Sequence, residues 1–505
     1  MSYTRRVPEN TSLYKAVKKY FPRFVQRVQL EGKSLPSFVH KTFRKYLKCG
    51  RLIYGSIRLY CYTCRRTKLV SFSCKCRGLC PSCSARRMTE ASILQSETMI
   101  PHVPMRQWVL TFPHPLTLFL AYRPDVLTEV LELFVKVVRY FYRQKCLIYN
   151  VPPIDHDDPS YLDLYSDLYP NDIGAVTCIQ RFTDALSLYP HFHTLFTDGL
   201  FAVRDYIIEP ENKFESAQFI PLPQLTDEDL IDVLIYFKHR VTKRFVRRGY
   251  LRPTDHGDDS FELYWGSDVL SEEEQSLLRC YAASSRLKYA FGERTGQSLQ
   301  FEYSEFATHH AKIKSPLCVE WGGFGLHAAR SLRADDREQL TQLCRYIQRP
   351  PLAQNRLQML DDGRFYYAFK RIWSNGAKGI MFNGEDLIER LAALIPMPRK
   401  NLTRYHGVFA PRSRFKHVVN ARSKRDHDRF VRVQRHKRRV YYTMWAELMR
   451  KVFVHDVLGC QFGCVRTESK FLEKNHSEIL ELSDPQPQFY EVVINNSLNI
   501  AVFLK

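Results

Sequence analysis

Two histidines separated by a single residue, His191 and His193, are the first feature of this sequence that could carry chemistry. They lie within Tyr189–Phe196, an aromatic-rich run that predicts a β-strand. Residues two apart on a strand point to the same side of the sheet, so both imidazoles should share one face while Phe192 points into the core behind them. Such a pair can hold a divalent metal ion. With 17 histidines in the chain, a pair like this also arises by chance, and the alternative is two hydrogen-bonded structural histidines.

Paired cysteines form a second candidate metal site. Cys61 and Cys64 make one Cys-x2-Cys pair, Cys80 and Cys83 make another, and 15 residues separate the pairs. Each pair forms a tight turn, and two facing turns supply the four sulfurs of a tetrahedral zinc site, Zn²⁺ being the ion this pattern favours. Four protein ligands leave no open position for water, so the predicted zinc ribbon should be structural.

More thiols and several cations surround these pairs. The additional cysteines are Cys49, Cys74 and Cys76, and either of the last two could replace a ligand. The basic residues predicted to dock the ribbon on DNA are Lys75, Arg77, Arg86 and Arg87.

A tyrosine lies on the flank of a short predicted helix. Asp335–Leu340 begins like a capped helix, and Pro350 should end it. The apolar stripe of this helix consists of Leu340, Leu343, Cys344 and Ile347. By the 3.6-residue period Tyr346 lies about 110° around the helix from that stripe. Tyr346 should therefore be partly exposed, with Gln342 one turn earlier, although most tyrosines in a chain are simply core or surface residues.

The charge of the chain favours a polyanionic partner. The net charge is +22 and the isoelectric point is about 9.4, which is an argument about partners and not about fold. An anionic membrane surface would attract the same charge, but no apolar run of 18 residues appears and the N-terminal segment lacks a signal-type apolar core. We therefore expect a soluble intracellular protein that binds nucleic acid.

Several segments together resemble rolling-circle insertion-sequence transposases of the HUH class. Gly174–Gly199, which contains His191 and His193, resembles their HUH motif region. Leu343–Pro351 resembles their catalytic-tyrosine segment, and the ribbon Cys61–Cys83 resembles their N-terminal zinc module. Later blocks of the family are similar to Arg404–Pro411 and Trp445–Phe453.

Details of these segments point to one subgroup. Some members use two tyrosines four residues apart, but Gln342 occupies the earlier position here, which resembles the single-tyrosine common-region (ISCR) subgroup. Members also tend to carry a Cys-x2-Cys pair near the end, whereas Cys460 and Cys464 have three residues between them.

The resemblance implies a reaction and a set of site residues. Tyr346 would attack a phosphodiester of single-stranded DNA at element ends, giving a 5′-phosphotyrosine, and host replication enzymes would complete transposition. His191 and His193 would bind Mg²⁺ or Mn²⁺ together with a third ligand, for which Gln342, His327 and Gln180 are the candidates. Arg345 and Arg349 would contact DNA, and the protein would act in the bacterial cytoplasm at the nucleoid. Single-strand binding could also involve Tyr366, Tyr367, Lys370 and Trp373.

The resemblance and the local patterns together predict an α+β chain in four parts. Residues 1–48 should be a basic helical segment and residues 49–95 the zinc ribbon. Residues 101–400 should be the HUH domain, an antiparallel sheet flanked by helices, with strands at Met105–Phe112 and Gly174–Arg181 and a helix at Pro124–Tyr142. Within it, an insertion is expected at about 205–315, less regular and acidic in patches. Residues 401–505 should be a basic, mainly helical region.

Three alternatives to transposition remain at the level of the sequence. The chain could be a non-catalytic zinc-ribbon DNA-binding protein, a plasmid replication initiator or relaxase with the same chemistry, or a metal-dependent nuclease that uses water. Only the tyrosine mechanisms predict a covalent protein–DNA species.

Overall fold

The structure is a computed structural model that describes most of the chain. The described residues are 7–61, 66–146, 172–203, 217–253, 261–264, 270–303, 316–413, 419 and 489–494. Most of the C-terminal part lies outside them, so the predictions that concern Cys460, Cys464 and a helical C-terminal region stay predictions.

Helices occur throughout the described part of the chain. They are Ser12–Leu30 (α1), Ser37–Lys48 (α2), Pro81–Ile93 (α3), His114–Tyr122 (α4), Pro124–Lys145 (α5), Asp227–Arg247 (α6), Glu272–Ser285 (α7), Arg337–Ile347 (α8) and Gly384–Leu394 (α9). A π-helical segment, Leu94–Met99, continues α3. The basic helical segment predicted at residues 1–48 contains α1 and α2.

Strands occupy the segments between these helices. They are Ser56–Cys61 (β1), Arg66–Ser71 (β2), Met105–Thr111 (β3), Gly174–Phe182 (β4), Leu188–Thr197 (β5), Gly199–Val203 (β6), Ala217–Pro221 (β7), Leu251–Pro253 (β8), Phe261–Leu263 (β9), Gln300–Tyr303 (β10), Cys318–Trp321 (β11), Phe324–His327 (β12), Ser331–Leu332 (β13), Leu357–Met359 (β14), Phe365–Ala368 (β15), Ala377–Phe382 (β16), Thr403–Gly407 (β17) and Phe489–Ile494 (β18). The mixture of helices and antiparallel sheets confirms the α+β class.

A seven-stranded antiparallel sheet forms the centre of the molecule. Its order is β11-β12-β3-β5-β4-β17, and β13 pairs with β3 beside β12. The strands predicted at Met105–Phe112, Gly174–Arg181 and Tyr189–Phe196 are confirmed as β3, β4 and β5. Because β5 lies between the other two, its side chains are surrounded by neighbours on both sides.

Helices cover both faces of this sheet. On one face, α5 and α6 bury Trp108, Phe192 and Phe196 in a common apolar cluster. On the other face, α8 packs its predicted apolar stripe, including Leu343, over Leu195. Alternation along β5 therefore sends Phe192 to the first face, as predicted, and His193 to the face that carries α8.

A smaller four-stranded sheet, ordered β10-β16-β15-β14, forms a second layer with the N-terminal helices. Its core side chains share one apolar cluster with those of α1, α2, α7 and α9. The thiols of Cys76, Cys80 and Cys83 belong to the same cluster, so the cysteine segment packs on this layer.

The segment predicted to be a less regular insertion at about 205–315 contains two long helices, and its acidic patches are their first turns. Thr226 and Asp229 form a capping box at the start of α6, and Ser271 and Glu274 form one at the start of α7. In this position a Thr or Ser followed three residues later by an acidic residue satisfies exposed backbone N–H groups, and the acidic charge favours the helix N-terminus. Of the helices described, none has the length and apolarity needed to span a membrane.

A buried ionic network joins α1 to α9. Arg27 on α1 contacts Asp386 at 3.2 Å and Glu389 at 3.3 Å, and both carboxylates are almost completely buried. Glu389 also accepts hydrogen bonds from the backbone N–H groups of Ala290 and Phe291. Burial raises the pKa of the Glu389 carboxyl, and the backbone bond from Ala290 opposes this increase. The network therefore depends on every partner being present.

Glu389→Ala should lower the free energy of unfolding by about 3 kcal/mol, since it removes one of the carboxylates that pair with Arg27 and leaves the buried N–H groups of Ala290 and Phe291 without their acceptor. Urea denaturation of the full chain measures this change. The matched control is Glu302→Ala, which removes an exposed ion pair with Lys378 and should cost less than about 0.5 kcal/mol. Equal losses in the two variants would contradict a stabilising role for the network.

Candidate functional site

The sheet brings polar side chains together around the two histidines. In the strand register His193 lies opposite Val109 on β3 and opposite Cys178 on β4, and His191 lies opposite Gln180. Directly paired residues project from the same face of a sheet. The side of the sheet that carries α8 therefore presents both imidazoles and the Gln180 carboxamide to one small region.

The two imidazoles are in direct contact. Their Nε2 atoms are 3.1 Å apart. His191 donates its Nδ1–H to the carbonyl oxygen of Tyr189 at 2.8 Å, which leaves its Nε2 lone pair free to accept. The Nδ1 atom of His193 lies 2.8 Å from the carboxamide nitrogen of Gln107. These contacts orient both rings from behind. The bond from His191 matches that of metal-binding histidines, and His193 acquires the same pattern when the Gln107 carboxamide turns to present its oxygen to Nδ1.

Burial keeps both imidazoles neutral near pH 7. It lowers the pKa of His191 to about 4 and holds the pKa of His193 well below its usual range. The charge of His191 adds to the effect on His193, and that of Arg349 to both. Two ligands about 2.1 Å from one ion and at right angles to each other stand about 3.0 Å apart, close to the observed separation of 3.1 Å. Without an ion the same contact is an N–H···N hydrogen bond. The two imidazoles thus fit a divalent ion. A measurement of metal binding distinguishes a metal site from a structural pair of histidines.

The candidate third ligands lie in different surroundings. Gln180 is buried beside His191, donates to the carbonyl oxygen of Ile347 at 2.8 Å, and its Oε1 has no hydrogen-bond partner among the described residues. His327 lies beyond β3, opposite Val109, so its backbone is about 10 Å from that of His193. Gln342 is exposed on α8, and its amide donates to Glu338 at 3.3 Å.

Tyr346 reaches the histidines from α8. Its ring is perpendicular to the His193 ring, with 6.1 Å between the ring centroids. The residue is half-buried, as its position on the flank of the helix predicted. Leu340, Leu343 and Ile347 on the same helix are buried against the sheet, which fixes the side of α8 that faces β5. The phenol and the imidazoles are thereby held in one site.

Two cations flank the Tyr346 ring. The Arg349 guanidinium carbon lies 4.9 Å from the ring centroid and the Lys370 ammonium 5.2 Å from it. The Nε of Arg349 is buried and has no hydrogen-bond partner within the described part of the chain. Lys370 extends from the loop between β15 and β16, so a second element contributes to the site. A negatively charged group placed beside the tyrosine would meet both cations.

Four cysteines gather in a second site at the start of α3. The Sγ atoms of Cys49, Cys74, Cys80 and Cys83 all lie within 4.8 Å of one another. Cys49 is 3.8 Å from Cys80 and 3.6 Å from Cys83, which matches the sulfur–sulfur distance of about 3.8 Å in a tetrahedral zinc–thiolate site. Cys80 and Cys83 lie at the N-terminus of α3, where the helix dipole favours thiolates. Hydrogen bonds from Cys49, Cys74 and Cys80 lower the pKa of Cys83.

The tetrad contains only part of the ligand set predicted from the sequence. Cys80 and Cys83 are included, while the side chains of Cys61 and Cys64 lie outside the described residues, so their role stays a prediction. Cys49 ends α2 and Cys74 lies in the loop after β2, and neither has a paired spacing that would mark it. The sequence offers Cys74 as a possible replacement ligand and Cys49 only as a further thiol near the pairs. Cys76 instead directs its thiol to the carbonyl oxygen of Thr42.

Replacing Cys49 or Cys74 with serine should remove bound zinc from the purified chain and lower its melting temperature, since zinc binding contributes folding energy. Zinc content by atomic emission and thermal melting measure both effects. Cys318→Ser changes an exposed cysteine elsewhere and should alter neither. Zinc retained in the Cys49 and Cys74 variants but lost in Cys61→Ser would restore the ligand set predicted from the sequence.

The helix that carries Cys80 and Cys83 near its start, α3, is also connected to α8, the helix that carries Tyr346. The π-helical continuation of α3 carries Gln95 and Ser96, which accept hydrogen bonds from Gln348 at 2.9 Å and Thr341 at 2.7 Å. Arg337 at the start of α8 donates to the backbone oxygens of Ile100 and Pro101. The cysteine site thus supports the position of Tyr346 through a continuous helix.

The basic residues predicted to bind DNA are placed differently from one another. Arg77 donates to the carbonyl oxygen of Lys400 at 2.6 Å, and Arg87 to that of Lys75 at 3.0 Å. Arg86 pairs with Glu90. Arg345 is exposed on α8, and Arg349 lies over Tyr346. DNA contact by these residues stays a prediction.

Two family models match the chain. Residues 174–416 match the family described as putative transposase, and this part contains His191, His193 and Tyr346. Residues 16–112 match the transposase zinc-binding domain named for IS91, and this part contains the cysteine tetrad. Comparisons with curated proteins and with solved structures give no significant match.

Proposed function

We propose that this chain, an IS91-like transposase by its zinc-binding and transposase domains, cuts and rejoins single-stranded DNA with Tyr346 as the nucleophile. The observation that carries the proposal is the 6.1 Å separation between the Tyr346 and His193 ring centroids. The phenol therefore lies beside two neutral imidazoles, and two cations lie over the same ring. These are groups that attack on a phosphodiester can use.

The reaction consists of two phosphoryl transfers, the first onto Tyr346 and the second from it to DNA. The Tyr346 Oη forms a bond to phosphorus while the bond from phosphorus to the 3′ oxygen breaks; the phenolic proton is lost to water and the departing oxygen gains one. The product is a 5′-phosphotyrosine and a free 3′-hydroxyl. In the second transfer a 3′-hydroxyl attacks the phosphotyrosine and releases the phenol, so no nucleotide cofactor is needed.

The imidazoles provide the site for a divalent ion. A bound Mg²⁺ or Mn²⁺ would polarise the scissile phosphate and offset the charge that develops there. The Nε2 atoms of His191 and His193 would hold it, with Gln180 as the third ligand, since its buried Oε1 lies on the strand next to His191. Mn²⁺ suits a set with two nitrogens better than Mg²⁺ does. Gln342 and His327 are the remaining candidates.

The cations orient the substrate. Arg349 holds a buried, unpartnered Nε beside the Tyr346 ring within the described part of the chain, and a phosphate oxygen is the acceptor that such a donor requires. The single tyrosine, with Gln342 one turn earlier, favours the common-region subgroup and rolling-circle transposition. Single-stranded element ends, host replication enzymes and the bacterial nucleoid would then be its partners and place of action.

A covalent-adduct assay tests the proposal. The full chain is incubated with Mn²⁺ and single-stranded element ends labelled separately at each terminus, then denatured and separated by electrophoresis. We expect label from the 3′ side of the cut to migrate with the protein and label from the 5′ side to be released with a 3′-hydroxyl. Cleavage without any adduct would indicate a nuclease that uses water, and binding without cleavage a non-catalytic DNA-binding protein.

A further inference from the structure

A short loop between β15 and β16 carries two cations and an exposed apolar residue, and it brings Lys370 beside the tyrosine. Its base is closed by backbone bonds from Trp373 to Ala377 and from Phe369 to Lys378, 2.9 and 2.8 Å long. The Trp373 ring stacks on Phe369 with 4.5 Å between centroids. The residues between those two rings, 370–372, are all exposed, and we call them the basic loop.

The basic loop is anchored to the histidine hairpin by one carboxylate. Asp184, in the turn between β4 and β5, accepts hydrogen bonds from the backbone N–H of Lys370 and from the Arg356 guanidinium, each 2.6 Å long. The same guanidinium donates to the carbonyl oxygen of Ala368, the last residue of β15. The loop and the strand that carries His191 are therefore connected through a single residue.

The composition of the loop matches a nucleic-acid strand. Lys370 places its ammonium 5.2 Å from the Tyr346 ring centroid, Arg371 is exposed, and Ile372 is 59% exposed. A single exposed apolar residue is ordinary on a protein surface. Here it follows two cations, the first of which lies over the Tyr346 ring. A sugar–phosphate backbone would meet the charges and an unpaired base the apolar side chain.

We propose that the basic loop binds the single-stranded nucleotides adjacent to the cut. Lys370 and Arg371 contact phosphates, and Ile372 contacts an unpaired base. Asp184 is the positioning residue that holds the loop beside Tyr346. This rests on the proposed function for the class of substrate, but it concerns binding and not the identity of the nucleophile. The occupant is a single strand, since bases in a duplex are not free to contact Ile372.

Equilibrium binding of the full chain, measured without divalent metal so that no cleavage occurs, tests the loop separately from the chemistry. The probes are a single-stranded oligonucleotide and its duplex over a series of salt concentrations. Lys370→Gln and Arg371→Gln should each weaken single-strand binding about threefold to tenfold and reduce the salt slope by about 0.7. Ile372→Ala should weaken single-strand binding about fivefold, with the salt slope and duplex binding unchanged. Lys238→Gln and Ile231→Ala, matched changes on α6 at the other face of the sheet, should have no effect.

For Asp184→Ala, the expected change in single-strand affinity is opposite to the change that the loss of a negative charge alone would cause. Removing a negative charge from a DNA-binding surface strengthens binding unless the residue positions cations, so an anchoring role predicts weaker single-strand binding, again about threefold to tenfold. Thermal melting checks that the variants remain folded. Binding within twofold of wild type in the loop variants, equal losses on duplex for Ile372→Ala, or tighter binding by Asp184→Ala would each overturn the proposal. If the loop variants bind as expected but the wild-type chain forms no covalent adduct, the result would instead count against Tyr346 as the nucleophile.

Discussion

Tyr346→Phe is expected to abolish the covalent DNA adduct and to reduce cleavage by roughly 10⁴-fold or more, as removal of an enzymatic nucleophile does. Only one oxygen atom is lost, and the ring keeps its contacts with His193, Arg349 and Lys370. Affinity for single-stranded DNA should therefore remain within about twofold of wild type. Denaturing electrophoresis measures the adduct, and fluorescence anisotropy measures the affinity.

Tyr250→Phe is the matched control for this change. Tyr250 is half-buried against Phe119 and Phe245 in the apolar cluster on the other face of the sheet, so the same loss of a hydroxyl should leave cleavage and adduct unchanged. Adduct formation that survives in Tyr346→Phe would exclude Tyr346 as the nucleophile. Adduct lost equally in both variants would point to a general loss of structure.

His191→Ala and His193→Ala should each remove Mn²⁺ binding and slow cleavage by on the order of 10²-fold or more. A metal ion that stabilises the charge of a phosphoryl transition state contributes several kcal/mol, and each 1.4 kcal/mol corresponds to a tenfold change in rate. Electron paramagnetic resonance of free Mn²⁺ measures the binding independently of activity. Binding of single-stranded DNA in the absence of metal should be unchanged.

His114→Ala is the control for the histidine variants. His114 is exposed at the start of α4, and its ring contacts the carbonyl oxygen of Ser285, so its loss should change neither metal binding nor cleavage. Unaltered Mn²⁺ affinity in His191→Ala and His193→Ala would identify the pair as structural. The 3.1 Å contact between their Nε2 atoms would then be a hydrogen bond.

Gln107→Leu examines how the ring of His193 is oriented. The Gln107 carboxamide nitrogen lies 2.8 Å from the His193 Nδ1. A metal-bound imidazole carries its proton on Nδ1 and donates it, so metal binding requires the carboxamide to turn and present its oxygen to that atom. We expect Mn²⁺ affinity to fall between about 10-fold and 100-fold, with Gln107→Glu, which keeps an acceptor, close to wild type. Equal affinity in the leucine variant would show that the carboxamide does not position the ring.

The amino-acid sequence by itself determined the local elements of the site. Strand alternation put His191 and His193 on one face and Phe192 on the other, and the helical period put Tyr346 on the flank of α8. These inferences hold because each depends only on residues a few positions apart. The expectation of less regular structure at about 205–315 was wrong where α6 and α7 lie, because Asp229 and Glu274 belong to capping boxes that start these helices.

Only the tertiary structure decided which distant residues meet. The order of strands β3, β5 and β4 brings Gln107 and Gln180 to the histidines, and the packing of α8 on that face brings the Tyr346 ring to His193. The basic loop is held at the same site by the hydrogen bond from the Lys370 backbone to Asp184. Likewise, Cys49 and Cys74 join Cys80 and Cys83 through the folding of separate elements. Sequence spacing reports contacts within one element, whereas contacts between elements arise from sheet order and helix packing, which no local pattern encodes.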